Sequence, residues 1–313
     1  MKRGSRALTR DNDDEGNREG EVVAAFGRHF RVDPGMGESV IHAVTRGRRG
    51  DVACGDRVVW QPTSPGEGVI ERVLERRNLV YRSDQYRQKL LAANVDRIAI
   101  VVAVEPSFSL DLLSRALVAA ESADVPALVV FNKVELNGLD EARARLAFVA
   151  ALGYPVVEVS LRASPHDAST ALTPYFQNAT TVVIGQSGMG KSTLVNLLVP
   201  EARIATQEIS SKLDSGKHTT TSARIHMHGD IRIVDSPGFQ EFGLAHLDQR
   251  TLENAFVEFR AHLGGCRFHN CRHLEEPHCA ITQAAAQGEI SAQRLELYRQ
   301  LYRELKQHLP HYA

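Results

Sequence analysis

The eight residues Gly185–Ser192 spell GQSGMGKS, and with their flanks they restrict the fold more than anything else in the chain. TTVVI precedes them and TLVNLLV follows, so a buried β-branched strand must turn through glycines into a helix. This is the spacing of a phosphate loop. Gly185, Gly188 and Gly190 allow backbone N–H groups to face inward, and the helix start adds the positive end of its dipole. Lys191 is placed to reach β- and γ-phosphates and Ser192 to ligate Mg²⁺. Gln186, Ser187, Met189 and Thr193 are assigned to nucleotide binding with the rest of the run. A glycine-rich turn with a surface lysine is the plain alternative, and the strand and helix on either side argue against it. Downstream, IRIVDSPG sets Asp235 at a strand end, suited to holding Mg²⁺ through water, with Gly238 ready to offer its N–H to a γ-phosphate.

A phosphate loop needs a parallel sheet around it. VDRIAIVVAV, PALVVFNK and YPVVEVS are apolar runs without polar alternation, separated by the helix-like DLLSRALVAAESA and DEARARLAFVAAL. That pattern reads as βαβ units whose sheet is buried on both faces. Upstream, EVVAAFGRHFRV, ESVIHAV, RVVWQ and GVIERVL are short alternating runs broken by Gly, Pro and Asp, which predicts a small closed β-barrel of the oligonucleotide/oligosaccharide-binding (OB) type. The expected division is a disordered tail over 1–20, the barrel over 21–82, an α/β nucleotide domain over 83–245 and a small helical domain over 246–313. At 313 residues and 43% hydrophobic the chain has apolar material for several cores. No stretch approaches the ~18 consecutive apolar residues of a membrane span, and the start lacks the apolar centre of a signal peptide. A cytoplasmic, membrane-free protein is expected.

Base choice comes from VVFNKVEL, which puts Asn132, Lys133 and Glu135 at the end of a predicted strand. This resembles the Asn-Lys-x-Asp guanine-reading motif, in which a carboxylate accepts from two donors on guanine's edge that adenine lacks. Glu replaces Asp here, which keeps a bidentate acceptor and shifts its position; an ordinary loop with Glu at a helix start is the alternative. Ser160, in VVEVS, falls at the next strand end and would back the purine through its main chain. Asn132 precedes Gly185, whereas ordinary GTPases place the phosphate loop first, so the motif order is circularly permuted.

Three of the four cysteines fall between Cys266 and Cys279, which in an intracellular chain points to metal rather than to disulfides. Cys266, Cys271, His273 and Cys279 read C-x4-C-x-H-x5-C, four ligands suited to one tetrahedral, structural Zn²⁺ with no open position. His269 and His278 are neighbouring substitutes, and metal-free thiols are the bland alternative. Cys54 is left as a small core residue. Leu295, Tyr298, Tyr302, Leu305 and Leu309 recur at helical spacing, as an internal packing stripe does. A net charge of -1 excludes a uniformly basic nucleic-acid coat and leaves local patches. Arg46, Arg48 and Arg49 form one; Arg72, Arg76, Arg77, Arg82, Arg87 and Lys89, interleaved with Tyr81 and Tyr86, form another. Each is either an RNA contact or a solvated face.

EPSFSLDLLSRALVAAE, GQSGMGKSTLVN, GKHTTT, DSPGFQEFGL and the Cys/His cluster together resemble the ribosome small subunit-dependent GTPase A family. The resemblance spans nearly the whole chain after the tail. It implies an OB barrel, a permuted GTPase domain and a zinc-bearing helical domain, acting with GTP in late maturation of the small ribosomal subunit, through its rRNA and as a monomer. It also marks GKHTTT as a first switch whose Thr220, with Thr219 or Thr221 as alternatives, closes on Mg²⁺ and γ-phosphate. Phe239 stands where many GTPases carry a water-orienting glutamine, so the resemblance implies His218 as the catalytic group beside Thr220 and Lys191. Two other classes stay open: an RNA-binding module whose nucleotide only stabilises the fold, and an ATP-using P-loop enzyme.

Overall fold

Along His29–Asp33 (β2) the side chains alternate, Phe30 and Val32 buried and His29 and Arg31 exposed, so one face of this strand must be covered. In the computed structural model, which describes residues 16–47, 51–83, 88–204, 222–235, 244 and 246–308, β2 belongs to a five-stranded barrel. Its other strands are β1 (Arg18–Phe26), β3 (Ile41–Thr45), β4 (Arg57–Ser64) and β5 (Glu67–Val73), in the order β1-β2-β3-β5-β4, with β4 pairing back onto β1. Val22, Phe30, Val32, Ile41, Val58, Trp60 and Ile70 fill the interior. The OB-type barrel expected from the alternation is thus present.

The barrel starts earlier than the composition of the tail implied. β1 begins at Arg18, inside the stretch read as disordered, because Arg18–Glu21 pair with Trp60–Arg57 of β4. Gly20 permits that closure: a Cβ there would lie 2.6 Å from Val32 Cγ1. The apolar cover for these polar residues comes from β4, which local composition cannot reveal.

A hairpin follows, β6 (Leu79–Ser83) and β7 (Gln88–Ala93), and the expected boundary at residue 82 falls inside β6. Several of the basic side chains read as an RNA patch are committed elsewhere. Arg76 donates to both carboxylate oxygens of the buried Asp56 at 2.7 and 2.8 Å, Arg77 pairs with Asp96 at 2.8 Å, and Arg46 with Glu71 at 2.8 Å. Arg48, Arg49, Tyr86 and Arg87 lie outside the described residues. Cys54 is fully buried and forms a β-bridge with Ala92.

Strands β8 (Arg97–Ala103), β9 (Ala127–Asn132), β10 (Val156–Val159), β11 (Ala179–Ile184) and β13 (Ile231–Asp235) form the parallel sheet, in the order β10-β9-β8-β11-β13. β9 and β11 are buried along their whole length, as strands covered on both faces are. Helices α1 (Leu110–Ser122), α2 (Leu139–Ala151), α3 (Pro165–Phe176) and α4 (Lys191–Leu198) supply the crossovers. β12 (Ser222–His228) runs antiparallel to β13, and its far side pairs with β1 of the barrel, so barrel and nucleotide sheet form one continuous ladder.

The C-terminal region carries α5 (Gln249–Ala255), α6 (Ala280–Ala286) and α7 (Ala292–His308). The stripe Leu295, Tyr298, Tyr302 and Leu305 is buried, while Leu309 lies outside the described residues. Charge pairs fix this region to α1: Arg115 forks onto Glu304 at 2.9 and 2.8 Å, and Arg260 donates to Glu121 at 2.5 Å. Among the described residues no helix is long and apolar enough to cross a membrane.

Candidate nucleotide site and metal centre

Between β11 and α4 the backbone takes positive φ at Gly185 (143°), Gly188 (81°) and Gly190 (107°), values that disfavour any side chain. Space forbids one as well. A Cβ at Gly185 would lie 2.2 Å from the Val101 carbonyl oxygen, and one at Gly190 2.3 Å from Asn132 Nδ2. Lys191 opens α4 and donates from Nζ to the Gln186 carbonyl at 2.7 Å, across the loop. Burial holds its ammonium below the usual lysine range, and the nearby Asp235 carboxylate opposes that shift. Asp235 ends β13, whose Val234 pairs with Val182 of β11, so the acid and the phosphate loop leave the same edge of the sheet. Ser192 and Thr193, half-buried in the first turn of α4, stand at the same edge.

Two loop residues assigned to the nucleotide also make contacts behind the loop. Met189 is buried and its carbonyl accepts from Asn132 Nδ2 at 2.9 Å; Gln186 Oε1 accepts from the Ser109 N–H at 2.7 Å. Both groups therefore brace the loop from behind, and Ser187 is exposed.

The Asn-Lys-x-Glu residues approach the same place from the end of β9. Asn132 is 3% exposed and joins two segments, since its Oδ1 also accepts from the Leu161 N–H at 3.1 Å. Lys133, at a left-handed φ of 64°, donates from Nζ to the Glu105 carbonyl at 2.6 Å. Ser160 Oγ donates to Glu135 Oε2 at 2.5 Å, so its hydroxyl steadies the carboxylate of the Asn-Lys-x-Glu segment. His218, Thr220 and Gly238 lie outside the described residues. The contacts of Ser109 and Glu105 had no sequence signal, because both partners are remote in the chain.

The second centre is the cluster Cys266, Cys271, His273 and Cys279, whose ligand atoms all lie within 4.8 Å of one another. Cys266 Sγ is 3.5 Å from His273 Nδ1 and 4.0 Å from Cys279 Sγ, and His273 Nδ1 is 3.3 Å from Cys279 Sγ. A tetrahedral ion bound by sulfur at ~2.3 Å and nitrogen at ~2.0 Å has ligand edges of roughly 3.8 and 3.5 Å, which these spacings fit. Backbone N–H groups of Ala280 and Thr282 point at Cys266 Sγ (3.3 Å) and Cys279 Sγ (3.5 Å), as thiolates require. The other imidazole nitrogen, Nε2, lies 3.6 Å from Glu253 Oε1, a carboxylate also held by Gln249 Nε2 at 2.6 Å. Such an outer carboxylate fixes the ring for metal through the inner nitrogen. Burial lowers His273 from its ordinary value and pushes the Cys271 thiol up to about 12, whereas at Cys279 burial is outweighed by hydrogen bonds, those from Thr282 foremost, which hold that thiol below its ordinary value. The cluster can hold a metal ion.

With this geometry in hand, relatives are informative. The family model described as RsgA GTPase matches residues 73–245, more than half of the chain and the whole stretch holding both nucleotide motifs. The chain belongs to the RsgA GTPase family. Similarity to individual RsgA proteins runs beyond that stretch. The small ribosomal subunit biogenesis GTPase RsgA of Paraburkholderia phytofirmans is 52% identical over 295 residues, covering 92% of this chain and 93% of that protein. The protein of the same name from Paraburkholderia phymatum is 50% identical over 305 residues, covering 96% of each. Among solved structures, YjeQ from Thermotoga maritima superposes with a TM-score of 0.70 at 29% identity, covering 93% of this chain and 99% of that one. YloQ, titled a circularly permuted GTPase, gives 0.67 at 28% identity over 97% of this chain and 100% of its own. The motif order, the barrel and the helical Cys/His region found here are those of an RsgA-type GTPase.

Proposed function

We propose that this chain hydrolyses GTP to GDP and phosphate, is stimulated by the small ribosomal subunit, and acts as a checkpoint late in that subunit's maturation. One observation carries the nucleotide half of this reading. Asn132 holds the phosphate loop with one end of its amide and the base-side segment with the other, so a purine ring and its phosphates can be received together. Glu135 supplies the acceptor for guanine's edge and the Lys133 stem covers the ring. Inward N–H groups between Gly185 and Ser192 and the Lys191 ammonium receive β- and γ-phosphate charge.

Ser192, Asp235 and Thr220 would hold Mg²⁺, which when bound neutralises phosphate charge. The reading assigns His218 and Thr220, with Lys191, to the hydrolytic step and Gly238 to γ-phosphate sensing. The ion held by Cys266, Cys271, His273 and Cys279 is one structural Zn²⁺: four protein donors leave no open position for a reactant. The tail, barrel, permuted GTPase domain and zinc-bearing helical domain are taken as the working units, the partner as small-subunit rRNA, the compartment as the cytoplasm and the active form as a monomer. Relatives named for small ribosomal subunit biogenesis support the partner.

Phosphate release from GTP and, separately, from ATP, with and without purified small subunits, tests the proposal. Stimulated release from GTP alone is expected. Equal, unstimulated turnover of both nucleotides would overturn the guanine and ribosomal assignments.

A further inference from the structure

One short loop touches both halves of the nucleotide site. Residues 104–109 connect β8 to α1. At the loop's start the Glu105 carbonyl accepts from Lys133 Nζ at 2.6 Å; at its end the Ser109 N–H donates to Gln186 Oε1 at 2.7 Å. A third hold comes from α2, an element that touches neither motif through these bonds. Arg145 donates from one terminal nitrogen to Ser107 Oγ at 2.6 Å and from the other to the Phe108 carbonyl at 2.6 Å. Its guanidinium also lies over the Phe108 ring, 4.4 Å from the centroid, and that ring is 2% exposed.

A planar guanidinium with two bonds and a stacked face fixes the orientation of what it grips far better than a point charge does. Lys133 is a long side chain whose ammonium depends on a main-chain carbonyl for its place. If that carbonyl moves, the lysine loses its anchor, and the entropy of ordering its stem falls on nucleotide binding. We infer that Arg145 is a positioning residue for the nucleotide: through residues 105–109 it holds Lys133, and with it Gln186 of the phosphate loop, in receiving geometry. The inference rests on the guanine-nucleotide reading above. A purely surface role is served elsewhere on α2, where Arg143 forks onto Glu158 at 2.8 and 2.7 Å.

Affinities for GDP and a non-hydrolysable GTP analogue, measured on the full chain with fluorescent nucleotides, test this together with kcat at saturating GTP. Arg145→Ala raises both Kd values by the same factor, about tenfold for two lost charge-assisted bonds, and leaves kcat unchanged. Arg145→Lys recovers part of the loss, and Arg143→Ala changes nothing. Combined with Lys133→Ala, Arg145→Ala adds little, since both remove one arrangement. Wild-type affinity in a folded Arg145→Ala protein, or full additivity with Lys133→Ala, would overturn the inference. Should Arg145→Ala not fold, wild-type affinity in both Ser107→Ala and Arg145→Lys would do the same. Absence of guanine-nucleotide binding by the unmodified chain sinks the proposed function itself; tight binding that ignores Arg145 sinks only the positioning role.

Discussion

Ser160 Oγ donates to Glu135 Oε2 at 2.5 Å, joining the segments that follow β9 and β10. An aspartate at this position would reach less far; the longer glutamate is steadied by a hydroxyl from the neighbouring strand end. Removing the hydroxyl with Ser160→Ala frees one more rotatable bond in the acceptor. The expected result is weaker GDP binding, by severalfold, with inosine diphosphate affected less. Glu135→Ala removes the acceptor altogether and costs about 1.5–3 kcal/mol of GDP affinity, the worth of hydrogen bonds to a charged group. Competition titrations with the two diphosphates check both.

Lys191 is a buried ammonium whose charge is needed only when phosphates are present. Burial lowers its pKa, so between the depressed folded value and the ordinary one the unfolded chain binds the extra proton. Stability of the nucleotide-free protein therefore rises with pH on approach to the usual lysine range. Lys191→Met removes the buried charge and raises the nucleotide-free melting midpoint. The same variant loses the stabilisation by GDP, which for the unmodified chain reaches about 2.7 kcal/mol at a hundred times Kd. Thermal melts with and without GDP measure both effects.

Glu253 is the outer partner of His273 Nε2 at 3.6 Å. Glu253→Ala leaves all four ligands in place but releases the ring, and metal affinity falls by about 10–100-fold. Competition with a chromophoric chelator reads this directly. Cys266→Ser is expected to lose the ion outright, with elemental analysis as the check.

Arg294 and Glu258 form a pair at 2.6 Å, with side chains only 4% and 7% exposed. Arg294→Ala strands a buried carboxylate and costs about 3–5 kcal/mol in urea unfolding. Replacing both, Arg294→Met with Glu258→Leu, costs much less, because no unpaired charge remains.

What the sequence made legible was chemistry that needs fixed local spacing. Gly185 to Ser192 must be contiguous to wrap phosphate, and Cys266 to Cys279 must be close to share an ion, so both could be read from a string. The barrel's alternation was likewise local. Contacts between remote segments were not legible: Gln186 turns to Ser109, Met189 lends its carbonyl to Asn132, and Arg145 grips Phe108, none of which leaves a mark at either end alone. The start of β1 at Arg18 was missed for the same reason, its cover being supplied by Trp60. The pairing of Arg76 with the buried Asp56 was equally illegible in the basic run around it.

The rungs between β1 and β12, Ala24 with Arg224 through Phe26 with Ser222, tie the barrel to the nucleotide sheet through main-chain pairing. A load applied to its surface passes as shear along backbone hydrogen bonds into the strand that begins immediately after residue 221. The barrel is thus less a separate hand on a flexible wrist than a handle forged onto the blade, and whatever holds it also holds the far side of the nucleotide sheet.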